Sequence, residues 1–466
     1  MPGLAPYAAG MTSILWLRRD LRLHDLPSLL AAHEASGDGV VLPLFVPDPA
    51  LLAAAGPVRI RCLVDALGGV REAYDDALVF RAGRPHEVVP AVAREIGATS
   101  VHISAETTPY GRRRDARVES ALPDGVPLVA TGSPYAVTPG RIRTGSGGPY
   151  SVFSPFSRAW RTHGWRAPAT VPRDVRWHRG MESEDPPAVP PEALEPELPP
   201  VGERPARERW RAFLDTGLEA YRQDRNRADL SGTSSMSGHL KYGTIHPRTM
   251  LADLASHPLA AGEGATAFTT ELCWRDFYAD VLWHRPDSAW SDLRPDLAAL
   301  RYDDPGDTFT AWREGRTGFP FVDAGMRQLR REGWIHNRVR MVVASFLVKD
   351  LHLWWGHGAR HFLRHLRDGD VGSNNHGWQW VAGTGTDPAP YFRVFNPVLQ
   401  GEKFDPDGDY VRRYVPELAH VPGAAVHQLW NVPGGYDGGY PQRVIEHGQA
   451  RSEALRRYAE ARAGAD

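Results

Sequence analysis

A chain of 466 residues is more than one ordinary hydrophobic core organises, so two or three domains are expected. At 42% hydrophobic and 24% charged it has a globular composition, and no apolar run reaches the ~18 residues of a membrane span. A net charge of −2 excludes a wholly basic nucleic-acid binder but leaves room for one basic face.

The first eleven residues are small and uncharged, and the apolar stretch 14–17 precedes Arg18 and Arg19, the reverse of a signal peptide. The two cysteines, Cys62 and Cys273, lie too far apart in the chain to suggest a disulfide framework or a zinc site, which fits a cytoplasmic location. Lysine occurs only at 241, 349 and 403, and genome composition accounts for most of the arginine excess. Fifteen tryptophans, many in the C-terminal half, raise the question of stacking or electron transfer beside ordinary core packing.

Short apolar runs at 12–17, 40–46, 77–80, 100–104 and 127–130 read as buried strands, and 58–74, 86–96 and 110–122 read as the helices between them. This alternation predicts an α/β domain over 12–135 built on a parallel, doubly wound sheet. No G-x-G-x-x-G follows the first strand, so the standard dinucleotide fingerprint is missing. Residues 136–205 read as an interdomain linker, and 186–200 (PPAVPPEALEPELPP) contain seven prolines, the mark of extended surface chain. From 206 to 466 the pattern is helical throughout, with 267–283 and 333–353 as long helices lacking internal proline.

Four segments of the helical half carry chemistry. GTSSMSGHLK at 232–241 clusters hydroxyls and glycine ahead of a helix, an arrangement able to cradle phosphates but equally common as a plain cap. In ELCWRDFY at 271–278, Glu271, Trp274 and Arg275 share one helical face. In WIHNRVRM at 334–341, Asn337 and Met341 lie four apart, with Arg338 and Arg340 on other sides. DGDVGSNNHGWQW at 368–380, followed by TGTDPAPYFRVFNP at 384–397, suggests irregular backbone around a ligand.

Together with WLRRDLR at 16–22, these motifs closely resemble the photolyase/cryptochrome family, in the same order from there to Arg413. The resemblance implies an N-terminal α/β antenna domain and an all-helical C-terminal domain that holds FAD in a folded, U-shaped form. It implies that Tyr221, Thr233, Ser234 and Ser237 contact the phosphates and ribityl chain. Phe268, Arg275, Asn337, Arg340, Asp368 and Asp370 would surround the rest of the cofactor. Ser235 is a departure, standing where many relatives carry arginine beside the phosphates.

The implied reaction is blue-light electron transfer from reduced FAD into a cyclobutane pyrimidine dimer flipped out of DNA. Asn374 would face flavin N5, Glu271 would hydrogen-bond the dimer and stabilise its radical anion, Trp274 would stack on it, and Asn337 and Met341 would line the pocket. Arg225, Arg338, Gln400 and Lys403 would contact the DNA backbone. Trp378, Trp355 and Tyr302 would relay electrons inward, with the Tyr302 proton leaving to Asp303, Asp304 or water. PYGRRRD at 109–115 resembles the branch carrying an 8-hydroxy-5-deazaflavin antenna, approached by Arg59 and Lys241, with methenyltetrahydrofolate the alternative pigment. A monomer acting on damaged DNA is expected. The competing readings are a cryptochrome-type photoreceptor without repair, which often carries aspartate or cysteine in place of Asn374, and a (6-4) photolyase, which carries histidines in place of Asn337 and Met341.

Overall fold

The computed structural model describes residues 11–37, 39–194, 196–387 and 393–463; residues 388–392 of the last motif lie outside it. Five strands, β1 (Ser13–Leu17), β2 (Val40–Phe45), β3 (Val79–Phe80), β4 (Ser100–Ile103) and β5 (Leu128–Ala130), form an all-parallel sheet in the order β3-β2-β1-β4-β5. A short sixth strand, β6 (Arg176–Trp177), adds in parallel to β2 through Val40 and Val41. Every β1 residue is buried because helices cover both sheet faces. Leu15, Leu17, Val41 and Phe45 pack on one side with the Pro57–Ala73 helix, while Ile14, Trp16, Leu42 and Leu44 pack on the other with Val89 and Val118.

Helices begin at Pro57, Pro85 and Pro109, one residue before each expected start. Proline at the first helical position sacrifices no internal hydrogen bond and presets φ, so it starts these helices where it would break an interior. Two further helices, Pro27–Ala35 and Pro49–Ala54, were too short for periodicity to reveal.

The 136–205 stretch is more than a tether. It contains the helix Phe153–His163, whose Phe153, Phe156 and Trp160 face the same core as Phe268, Cys273 and Phe277. Trp160 Nε1 donates to Asp276 Oδ2 at 2.9 Å, and Val137 N donates to the same oxygen at 3.0 Å. Burial pushes the Asp276 carboxyl up to about 6 even so. The proline-rich run contains a single turn of 3₁₀-helix, Pro191–Ala193, that buries Ala193.

After that run the described residues form helices, the longest being Glu263–His284, and an isolated bridge between Asp303 and Leu353 is the nearest approach to a strand. The single helix expected over 333–353 is divided. Gly333, at φ 59°, caps the preceding Pro320–Glu332 helix, and a new helix starts at Asn337 and passes at Phe346 into a π-helical turn ending at Asp350. Among the described residues no helix is long and apolar enough to cross a membrane.

Candidate functional site

The helices Glu263–His284, Asn337–Ser345 and Val371–Ala382, together with the 233–241 segment, wall a cavity of about 610 Å³. That volume is typical of a cofactor or substrate site. The cavity brings together Tyr221, Arg225, Thr233, Ser234, Ser237, Lys241, Phe268, Glu271, Trp274 and Arg275. Asn337, Arg338, Arg340, Met341, Asp368, Asp370, Asn374 and Trp378 complete the predicted set that lines it. Arg338 and Arg340, expected on other faces, line it too, while Val339 between them turns into the core.

Four hydroxyls, those of Thr233, Ser234, Ser235 and Ser237, stand along one wall. Ser235 adopts φ 55°, a left-handed conformation rare outside glycine, so the turn there is held by its surroundings. Arg209 Nε donates to the Ser234 carbonyl at 2.9 Å and anchors the same turn. Arg340 donates from Nη2 to Asp368 Oδ2 at 2.9 Å, leaving the buried Asp368 Oδ1 without a partner. Burial raises the Asp368 carboxyl, but Arg340, the Ser237 hydroxyl and Arg367 outweigh it and hold the group below the usual carboxylate range. A buried, ionised oxygen beside a cavity calls for a donor from a ligand. With aromatic Tyr221, Phe268 and Trp378 on the walls, hydroxyls for phosphate and an acceptor for a ring or ribose donor, the residue set fits FAD.

Asn374 donates from Nδ2 to the Ala359 carbonyl at 3.2 Å and to Asn375 Oδ1 at 2.8 Å. Both amide protons are thereby committed, and what remains is a carbonyl oxygen that accepts but cannot deliver a proton.

At one end of the cavity Asp370 receives Arg19 Nη2 at 2.8 Å and caps the Val371–Ala382 helix through Ser373 N at 3.1 Å. Lys241 lies beside them, and burial, reinforced by Arg19 and Arg59, lowers its ammonium to about 7. Arg59 does not line the cavity; its Nη1 reaches the Leu366 carbonyl at 3.4 Å, beside cavity-lining Gly369. Arg275 donates to the Pro134 and Leu240 carbonyls at 2.7 and 3.2 Å, so it ties the α/β domain to the cavity wall as well as facing the cavity.

Elsewhere in the lining Arg225 Nη2 pairs with Glu271 Oε1 at 2.7 Å. Trp274 lies flat on Phe153, centroids 3.6 Å apart and planes 5° apart, with Phe277 edge-on to both rings. Phe153 was missed in the sequence because it fell in the presumed linker, although Phe153, Phe156 and Trp160 follow helical spacing. Gln400 and Lys403 lie on the Pro397–Phe404 helix outside the lining; Phe404 of that helix contacts the Arg338 guanidinium at 5.4 Å.

Trp378 forms part of the cavity wall and packs on the Trp355–His365 helix at Gly358, where an added Cβ would sit 2.2 Å from the indole. Trp355, the first residue of that helix, is fully buried and donates Nε1 to Asp292 Oδ1 at 2.6 Å. Tyr302 is half-buried, its hydroxyl enclosed and without a partner among the described residues, and burial raises its phenol above the ordinary range. Asp303, one of the expected proton acceptors, is bound to Arg457 at 2.8 Å and makes no hydrogen bond to the Tyr302 hydroxyl.

A parallel α/β half and a helical half that walls such a cavity fit a protein that binds a flavin cofactor. Residues 13–173 match the family described as DNA photolyase, and residues 268–460 match the FAD binding domain of DNA photolyase. The chain is 42% identical to a deoxyribodipyrimidine photo-lyase from Streptomyces griseus, covering 94% of this chain and 97% of the relative. It is 38% identical to the Escherichia coli protein of that name, covering 97% and 99%. Its fold superposes on a class III photolyase from Agrobacterium tumefaciens with TM-score 0.90 at 34% identity, over 99% of both chains. An archaeal photolyase from Sulfolobus tokodaii, solved with two FAD molecules, matches with TM-score 0.82 at 27% identity, over 97% and 100%. The chain belongs to the DNA photolyase family.

Proposed function

We propose that the chain is a deoxyribodipyrimidine photo-lyase that splits cyclobutane pyrimidine dimers in DNA under blue light. The observation that carries this reading is the cavity itself, whose lining combines residues that fit FAD with Glu271, Trp274, Asn337 and Met341. Bound reduced FAD supplies the electron that enters the dimer and returns once the ring has opened.

The protein's tasks are then positioning and electrostatics. Photolyases belong to the enzymes that extrude their target nucleotide, and a damaged, poorly stacked pair lowers the cost of extrusion. The Glu271 carboxylate accepts the pyrimidine N–H edge, while Trp274, backed by Phe153, offers its free face for stacking. Asn374 holds the flavin without offering a proton. Arg225 and Arg338 bind backbone phosphates, with Gln400 and Lys403 beyond them, so affinity is salt-sensitive despite the near-neutral charge. Ultraviolet-treated DNA incubated with purified, reduced protein is expected to lose cyclobutane dimers in light and not in darkness. Equal dimer counts in both arms overturn the reading.

Because Trp274 is held by a parallel stack, Phe153→Leu is expected to weaken binding of dimer-containing DNA by about 0.5–1.5 kcal/mol, the worth of an aromatic pair beyond its area. FAD content should be unchanged, which a titration against damaged DNA and an absorbance spectrum together check.

For the antenna we favour 8-hydroxy-5-deazaflavin beside Arg59 and Lys241. An acidic chromophore there would return the proton that burial drives from Lys241. Since binding raises the Lys241 pKa from about 7, affinity is expected to fall as pH rises past 7. Lys241→Met should remove that part of the pH dependence, measured by titrating pigment-free protein at pH 6 and pH 8. An unaltered profile in the variant, or selective binding of methenyltetrahydrofolate, overturns the assignment.

A further inference from the structure

We propose that electrons enter this protein at Trp290 and not at Tyr302. The inference rests on the reading that Trp378 and Trp355 carry electrons to the cavity. Trp290 stands 38% exposed at the surface, the most exposed large aromatic ring near Trp355. It lies parallel to Trp355, with centroids 6.5 Å apart and planes 6° apart. Trp355 is fully buried and reaches Asp292 through its N–H, so a carboxylate faces the ring that carries positive charge in transit. The route runs from Trp378 at the cavity wall, which packs at Gly358 on the helix that Trp355 opens, to Trp355 and out to the parallel Trp290.

Tyr302 lacks what a terminal donor needs. A phenol holds its proton near pH 10 and gives up an electron readily only when that proton leaves too. The Tyr302 hydroxyl is enclosed, touches no acceptor among the described residues, and is made less acidic by burial and by Asp292. Trp354 is nearer to Trp355, at 5.5 Å, but tilted by 55° and half-buried, its edge against His357.

On excitation one electron leaves Trp378 for the oxidised cofactor, one from Trp355 refills Trp378, and one from Trp290 refills Trp355. The Arg360 guanidinium, 4.9 Å over the Trp290 ring, disfavours a lasting positive charge there. The exposed indole therefore gives its N–H proton to water and is left as a neutral radical. A thiol then supplies the hydrogen atom that restores Trp290, and two thiyl radicals join as a disulfide.

Holoenzyme with oxidised FAD is illuminated with a thiol, in wild type and in Trp290→Phe, Tyr302→Phe, Trp354→Phe and Trp355→Phe variants. Trp290→Phe is expected to slow photoreduction to the rate of Trp355→Phe, while Tyr302→Phe and Trp354→Phe keep the wild-type rate. Illumination without thiol, followed by peptide mapping, is expected to find oxidised tryptophan at 290 in wild type and none in darkness. Wild-type photoreduction in Trp290→Phe, or loss of photoreduction in Tyr302→Phe or Trp354→Phe, overturns the proposal. Dithionite-reduced Trp290→Phe is expected to repair dimers as wild type does. Failure of reduced wild type to repair would count against the photolyase reading, separately from the electron route.

Discussion

Glu271→Ala is expected to lower dimer repair by about ten- to a hundredfold while leaving bound FAD unchanged. Glu271 lines the cavity with Trp274, Asn337 and Met341, and its side-chain partner is Arg225 and not the Asp368–Arg340 pair that fits the cofactor. A hydrogen bond to a charged group is worth about 1.5–3 kcal/mol, and each 1.36 kcal/mol is a factor of ten in rate. The substitution has a second consequence, because Arg225 Nη2 loses its partner at 2.7 Å and is freed toward DNA phosphate. Binding of undamaged DNA is therefore expected to hold steady or tighten as discrimination for the dimer falls. Repair rate, FAD absorbance and affinity for damaged and undamaged DNA, measured on one preparation, separate these effects. Unchanged repair removes Glu271 from the reaction.

The second large effect is expected at Asp370. Burial raises this carboxyl, yet Arg19, Lys241 and Arg275 together hold it well below the usual carboxylate range. It joins Arg19 of the α/β domain to the start of the helix that carries Asn374 and Trp378. Removing one partner from a buried charge cluster costs about 3–5 kcal/mol, a large share of the 5–15 kcal/mol that holds a typical domain together. Asp370→Ala should lower the denaturation midpoint accordingly and reduce FAD retention. A depressed folded pKa contributes stability that is present above the unfolded value of about 3.9 and lost as pH falls through the folded one. The gap between wild type and variant should therefore hold between about pH 5 and 6, narrow on further acidification, and shrink in part above pH 7 as Lys241 loses its proton. A gap that does not change with acid would show that the charge of Asp370 is not what stabilises the junction.

Much of this protein was legible before any coordinates. The five parallel strands fell where short apolar runs alternate with amphipathic ones, because a strand buried on both faces needs an unbroken apolar sequence. Glu271, Trp274 and Arg275 were placed on one face by helical spacing, and the cavity indeed receives all three. Errors clustered where a residue type has two meanings. Proline reads as a breaker but starts helices at 57, 85 and 109, and glycine at 333, read as the first residue of a helix, ends the preceding one through its positive φ.

Local pattern and motif by themselves determined the α/β-then-helical order, the family resemblance and the identities of most cavity residues, since these depend on periodicity and on residues close in sequence. Only the tertiary structure decided that Phe153, 121 positions before Trp274, backs that ring at 3.6 Å. It likewise decided that Arg19 meets Asp370, that Trp290 and not Tyr302 lies parallel to Trp355, and that the Tyr302 hydroxyl is enclosed. Each of these joins residues far apart in the chain through packing, and packing leaves no periodic trace in sequence. Burial and long-range charge, which set the state of Lys241 and Asp370, exist only once the chain has closed around them.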